Sequence, residues 1–158
     1  MTESELGSTR NAHSFGTTML CGQPTAAEFA EAKKRGIKTV ITLRKKNQID
    51  RNEAAEQCEL GMNFYQLGFH APASLTTAIM KKDGAILGDP KHTPVMLHCA
   101  WANRVGAIWL AHRVLNNKAD VATDRKQAKE TGLRTPAYEE RVSAYLKKSK
   151  QSNEAYQQ

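Results

Sequence analysis

The 158 residues predict a single α/β domain, a mainly parallel central sheet of about four strands flanked by helices. Three observations carry that expectation. Short apolar runs rich in β-branched residues, such as Thr39 to Leu43, have the continuous hydrophobic character of strands buried on both faces. Those runs alternate with capped stretches of helical period, giving βαβ order. The length fits one domain with a sizeable core, with no internal repeat and no apolar run that could span a bilayer.

The elements follow in order. Residues 1–10 are polar, lack a signal-peptide hydrophobic run and read as a flexible N-terminal segment. Thr18 to Cys21 is a short first strand ended by Gly22 and Pro24. Thr25 and Glu28 have capping-box spacing and open a helix through Arg35, stopped by Gly36. Phe29 and Ala32, with Ile37, give it a buried side. The strand of residues 39–43 leads into a basic loop carrying Arg44, Lys45, Lys46 and Arg51, with Asp50 among them. At the carboxyl end of a parallel strand such a loop makes an electropositive rim or simply a solvated turn. Asn52 caps a helix ended by Gly61, in which Cys58 is expected to pack inward.

Residues 62–67 read as another strand, followed by a loop from Gly68 to Ala73 and a helix capped by Ser74. Gly88-Asp89-Pro90 ends that helix. Residues 95–97 form an apolar run after Pro94, too short for a helix. From Val105 the apolar positions 105, 108, 109 and 112 mark a helix stripe. Asn116-Asn117 ends it. Residues 121–131 form a polar helix stopped by Gly132. Thr135-Pro136 opens the last helix, with Val142, Tyr145 and Leu146 facing the core. A domain over residues 11–150 is expected, with residues 151–158 a disordered tail.

The informative stretch is His98-Cys99-Ala100-Trp101-Ala102-Asn103-Arg104-Val105-Gly106. It places a thiol at the end of a strand, four residues of loop, and an arginine opening a helix. Unpaired amides at a helix start favour an anion and a thiolate, which lowers a cysteine pKa from about 8.5. Arg104 adds a planar fork matching two oxyanion oxygens. His98 and Arg44 are supporting candidates. Ala100, Trp101, Ala102, Asn103 and Arg104 form the candidate phosphate-binding set.

This segment resembles the active loop of small bacterial tyrosine-phosphatase-like proteins, a branch of the cysteine-dependent, dual-specificity-like phosphatases. The likeness extends to Gly22-Gln23-Pro24, to Thr39-Val40-Ile41-Thr42-Leu43-Arg44 and to Gly132-Leu133-Arg134-Thr135-Pro136, spanning about residues 11–147. It implies a phosphatase-like enzyme that hydrolyses phosphate monoesters through a thiophosphoryl-cysteine intermediate on Cys99. Three departures stand out. Ordinary members place five residues between Cys and Arg, whereas four lie here, a gap that also resembles rhodanese-like sulfurtransferases. Val105 replaces the usual hydroxyl residue. Trp101 is bulky in a loop that approaches its ligand closely, and either walls the pocket or blocks it.

The aspartic general acid that the family carries near this point has no counterpart between Gly68 and Lys82. His70 and Asp50 are the catalytic candidates for that role. Asp83, within a helix, and Asp89, beside Pro90, fit it less well. Two further readings stay open: a sulfurtransferase with a Cys99 persulfide, and a non-catalytic phosphate- or phosphoprotein-binding domain. The net charge of +7 favours acidic ligands or surfaces without specifying one, and the resemblance implies a phosphorylated protein or a small anionic substrate. Without aromatic-basic interleaving, no nucleic acid is expected, nor a membrane. No cofactor is expected, and no metal, since no second ligand stands at metal-site spacing from His98. Three cysteines make a poor disulfide framework, so reduced thiols in a cytoplasmic setting are expected, with a removed signal peptide left open.

Overall fold

A computed structural model describes residues 1–116 and 120–156, with side chains through Lys150. Among the described residues six strands form one sheet: β1 (Thr2–Glu3), β2 (His13–Phe15), β3 (Thr18–Cys21), β4 (Thr39–Thr42), β5 (Asn63–Gln66) and β6 (Val95–His98). Their spatial order is β1-β2-β3-β6-β4-β5. The four strands β3, β6, β4 and β5 are parallel, with Leu20 opposite Leu97 and Ile41 opposite both Leu97 and Tyr65. This is the four-stranded parallel sheet expected from the sequence.

The antiparallel strands β1 and β2 extend it beyond β3. They run to two and three residues, too short and too polar to show a period. They lie within the segment 1–10 that the sequence reads as flexible, and past it. Leu6 is 1% exposed within the core, and Ser4 donates from its amide to Ala12. One buried leucine and a paired strand hold residues 1–10 against the domain.

Six helices among the described residues flank the sheet: α1 (Ala26–Lys34), α2 (Glu53–Leu60), α3 (Thr77–Leu87), α4 (Asn103–Asn116), α5 (Val121–Thr131) and α6 (Pro136–Tyr156). The Thr25 capping box forms as the sequence indicates. Asn52 caps α2, and Gly61 ends it in the left-handed conformation at φ 70°. The cap of α3 is Thr76, whose hydroxyl accepts from Ile79, because Ser74 is spent closing the short turn Pro72–Ser74. The helix α4 ends at Asn116; Asn117 lies outside the described residues. The backbone of α6 stays helical to Tyr156, into the stretch expected to fray.

Two apolar layers result. One side of the sheet holds Leu20, Ile41, Leu97 and Cys99 against α3, α4, α5 and α6. The other holds Cys21, Val40 and Met96 against Phe29 and Ala32 of α1. Alternation along β6 therefore sends Leu97 and Cys99 to one side and Met96 and His98 to the other. Cys58, expected to pack inward, is exposed. On α2 the buried positions are Glu53 and Gln57, polar residues that a hydrophobic pattern does not reveal. Among the described residues, no helix is long and apolar enough to cross a membrane.

Candidate active site

The loop after β6 ends one parallel strand and opens α4, at the carboxyl edge of the sheet. Cys99 is its first residue, 1% exposed, with its amide donating to the carbonyl of Cys21 at 3.3 Å. From there the loop is held by its outer side. The Ala100 carbonyl accepts from the amide of Gln23, and that of Trp101 from Asn11 Nδ2 at 2.9 Å. Ala102 turns the chain at φ +69°, the left-handed region that an L side chain adopts at a cost. Gly106 then donates to Ala102 and begins the helical ladder.

The donors are treated differently from the acceptors. Among the described residues, none accepts a hydrogen bond from the amides of Ala100, Trp101, Ala102, Asn103, Arg104 or Val105. Six consecutive N–H groups at a helix start are thus left for a ligand, the electrostatic condition for holding an oxyanion.

Glycines permit the loop's close packing. A Cβ on Gly22 would stand 2.8 Å from the Ala100 carbonyl oxygen, and one on Gly132, at φ +144°, 3.1 Å from that of Trp101. A Cβ on Gly106 would stand 2.7 Å from Leu133. The segments noted in the sequence around Gly22 and Gly132 therefore converge on this one loop.

Arg104 is half-buried and well held. Its Nη1 donates to the carbonyls of Phe69 (2.8 Å) and Leu43 (3.2 Å) and to Gln48 Oε1 (3.0 Å). Nε and Nη2 have no acceptor among the described residues and remain available. Arg44 stands close by. Burial and the neighbouring Arg104 charge both press its pKa below the usual guanidinium range, with Glu53, Cys99 and Asp50 opposing. Arg44 Nη1 donates to Gln23 Oε1 at 2.8 Å, Nη2 donates to the Gln48 carbonyl, and Nε is buried without a partner among the described residues. Two like charges and an orphaned cationic N–H describe a place that an anion would stabilise.

The other candidates fall as follows. The Asn103 side chain does not face a ligand: Oδ1 accepts from the Arg134 amide and Nδ2 donates to Thr135, pinning the loop to the start of α6. Trp101 is 52% exposed and lies against Arg10, whose guanidinium carbon is 3.8 Å from the ring centroid. It therefore walls the loop from outside rather than filling it. His70 is exposed, directly after Phe69, whose carbonyl accepts from Arg104. Asp50 is exposed and lines a cleft of about 300 Å³ with Lys46, Arg51 and Phe64. His98 is buried, with its ring on the side of the sheet away from Cys99 and its edge against Phe29.

Three participants were not legible in sequence. Gln48 meets Arg104, Glu53 meets His98, and Tyr138 lies within the field of both Cys99 and Arg104. Burial pushes the Tyr138 phenol up, helped by Cys99 and opposed by Arg104. Each arrives by tertiary contact from a distant element, and no local pattern announces it.

No protein-family model matches the sequence, and no curated protein matches it. Solved structures do match. Tk-PTP in its active form superposes with a TM-score of 0.76 at 13% identity, covering 85% of this chain and 95% of that one. The fold is tyrosine-phosphatase-like. The catalytic core of the Saccharomyces cerevisiae PP-IP phosphatase Siw14, in complex with citrate, gives 0.73 at 17% identity, over 92% and 93% of the two chains. Pseudomonas aeruginosa TpbA in complex with pTyr gives 0.64 at 17%, over 85% and 87%.

Proposed function

We propose that this chain is a cysteine-dependent phosphatase-like hydrolase acting on phosphate monoesters, with Cys99 as nucleophile. The observation that carries the reading is the run of six amides from Ala100 to Val105, unpartnered among the described residues, beside the free Nε and Nη2 of Arg104. Donors of that kind stabilise the equatorial oxygens of a transferring phosphoryl group better in the transition state than in the ground state. The Cys99 thiolate attacks phosphorus, the P–O bond to the leaving group breaks, and the leaving oxygen takes a proton. Water then attacks the thiophosphoryl-cysteine, releasing inorganic phosphate and the thiolate. His70 is placed in the acid role because its neighbour Phe69 touches Arg104; Asp50 is the alternative donor. The substrate class in this reading is a phosphorylated protein or a small anion, in keeping with the pTyr and citrate bound by the structural neighbours.

Purified protein is expected to hydrolyse an activated aryl phosphate, and Cys99→Ser to reduce the rate to background. Equal rates for the two proteins would remove Cys99 from the chemistry. The near-complete burial of Cys99 favours, as a second reading, a domain that binds phosphate without turning it over. Phosphate binding that survives in Cys99→Ser, with no hydrolysis by either protein, would establish it. The four-residue Cys-to-Arg gap keeps a third reading in the same assay panel. Thiosulfate and cyanide would yield thiocyanate, with one added sulfur on Cys99, only in a sulfurtransferase.

A further inference from the structure

On the side of the sheet opposite Cys99 lies a buried, hydrogen-bonded carboxylate–imidazole pair that the scheme above does not use. Glu53, the first residue of α2, holds its Oε2 at 3.2 Å from His98 Nε2, with the two side chains 2% and 0% exposed. Its other oxygen accepts from Gln23 Nε2. Gln23 Oε1 in turn accepts from Arg44 Nη1, Arg44 Nη2 donates to the Gln48 carbonyl, and Gln48 Oε1 accepts from Arg104 Nη1. The hydrogen bonds thus run unbroken from the residue before the thiol to the guanidinium that closes the loop.

We propose that Glu53 is a positioning residue for the Cys99–Arg104 pair: it fixes the tautomer of His98 and anchors the polar chain that sets the direction of Arg104. The inference rests on the phosphatase reading for its kinetic readout alone. Its chemical basis is the number of acceptors. Two donors, His98 Nε2–H and Gln23 Nε2–H, converge on one side chain, and a carboxylate offers each an oxygen. An amide of the same size offers one oxygen only. With Gln at position 53, either one bond is lost or His98 gives up its Nε2 proton and carries it on Nδ1. That nitrogen is now buried without a partner, so the second tautomer would bury an unmatched N–H. The other titratable groups against the pair are Arg51, 3.9 Å from Glu53, and Cys21 of β3, with Arg44 one hydrogen bond further along the chain. Cys21 stays protonated, since burial and then the nearby Cys99 and carboxylate charges raise its pKa.

The test compares the full chain with Glu53→Gln by three readouts: the His98 ring tautomer by NMR, the pH profile of Cys99 alkylation resolved by mass spectrometry from that of exposed Cys58, and kcat against KM on an aryl phosphate. The expected result is a changed tautomer, a displaced alkylation profile, and kcat lower by about tenfold or more with KM little changed. Unchanged tautomer and alkylation profiles overturn the proposal, as does a loss of kcat with neither of them moved, which would mark a merely structural role. If the unsubstituted protein shows no turnover while Glu53→Gln still moves His98 and Cys99, the phosphatase reading falls and the positioning role stands. If it turns over and Glu53→Gln matches it in all three, the reverse holds. Should Glu53→Gln not fold, Gln23→Leu cuts the same chain from a half-buried loop position and leaves the Glu53–His98 bond in place; an unchanged tautomer with a displaced Cys99 alkylation profile and a lower kcat is then expected, and an unmoved alkylation profile overturns the proposal.

Discussion

Asp83 and Glu53 are buried almost equally in this molecule, yet their pKa values are shifted in opposite directions. Asp83, on α3 in the layer that also holds Cys99, is fully buried, and neither oxygen has a partner among the described residues. Burial alone drives its pKa well above the carboxylate range. Glu53 is 3% exposed on the other side of the sheet, and burial pushes it the same way. There the hydrogen bond and charge of His98, then Gln23, then Arg51, outweigh burial and bring the pKa below the ordinary value. Partners, rather than depth, decide whether a buried acid stays charged. The contrast separates an unpartnered acid whose pKa burial raises, in one layer, from a partnered acid whose pKa is lowered, in the other.

The sharpest way to break the contrast is to give Glu53 the surroundings of Asp83. His98→Leu removes its nearest partner and leaves a buried carboxylate under-compensated. The expected cost is about 3–5 kcal/mol in denaturant unfolding. A cost below about 1 kcal/mol would mean that the pair contributes little.

A smaller effect is expected from Asp83→Asn, and its sign depends on pH. The folded pKa of Asp83 lies above the unfolded one, so the folded state binds the extra proton and stability falls as pH rises between the two values. At pH 7 the unfolded state gains by ionising. Asp83→Asn is therefore expected to raise the melting temperature at pH 7, with the gain shrinking as pH is lowered towards about 4. Glu53 works in the other direction: its folded pKa is depressed, so its contribution is present above the unfolded value and is lost as pH falls through the folded one. Melting curves at several pH values should show the two trends with opposite slopes, and parallel slopes would contradict the assignment.

The smallest effect belongs to Arg51→Met. Arg51 is 3.9 Å from Glu53, one-third exposed and already engaged with Glu56 and the Pro24 carbonyl. A change of stability within about 1 kcal/mol is expected. A larger loss would move the stabilisation of Glu53 from its hydrogen bonds to this more distant charge.

How much of this was readable beforehand follows from where each signal lies along the chain. The parallel sheet, the six helices and most caps were legible, because β-branched runs, Thr25, Asn52, Gly61 and Gly132 act within a few residues of themselves. The loop from Cys99 to Arg104 was legible for the same reason: strand end, loop and helix start are contiguous. Glu53 lies 45 residues from His98 and Gln48 lies 56 from Arg104, so their roles exist only after folding. On α2 the apolar pattern also misleads. Cys58 points outward, while Glu53 and Gln57 point inward: Glu53 is buried with partners where a hydrophobic side chain would be expected, and the Gln57 amide is buried with none among the described residues. The β1–β2 pairing was missed because strands of two and three residues show no periodicity.

Arg10 stacks on Trp101, Asn11 holds the Trp101 carbonyl, and the Arg10 carbonyl receives the Gly22 amide beside Ala100. The opening dozen residues therefore act as an external brace on a turn nearly ninety positions downstream. Trimming them, or fusing a bulky tag hard against them, would alter the shape of that turn without touching any residue within it.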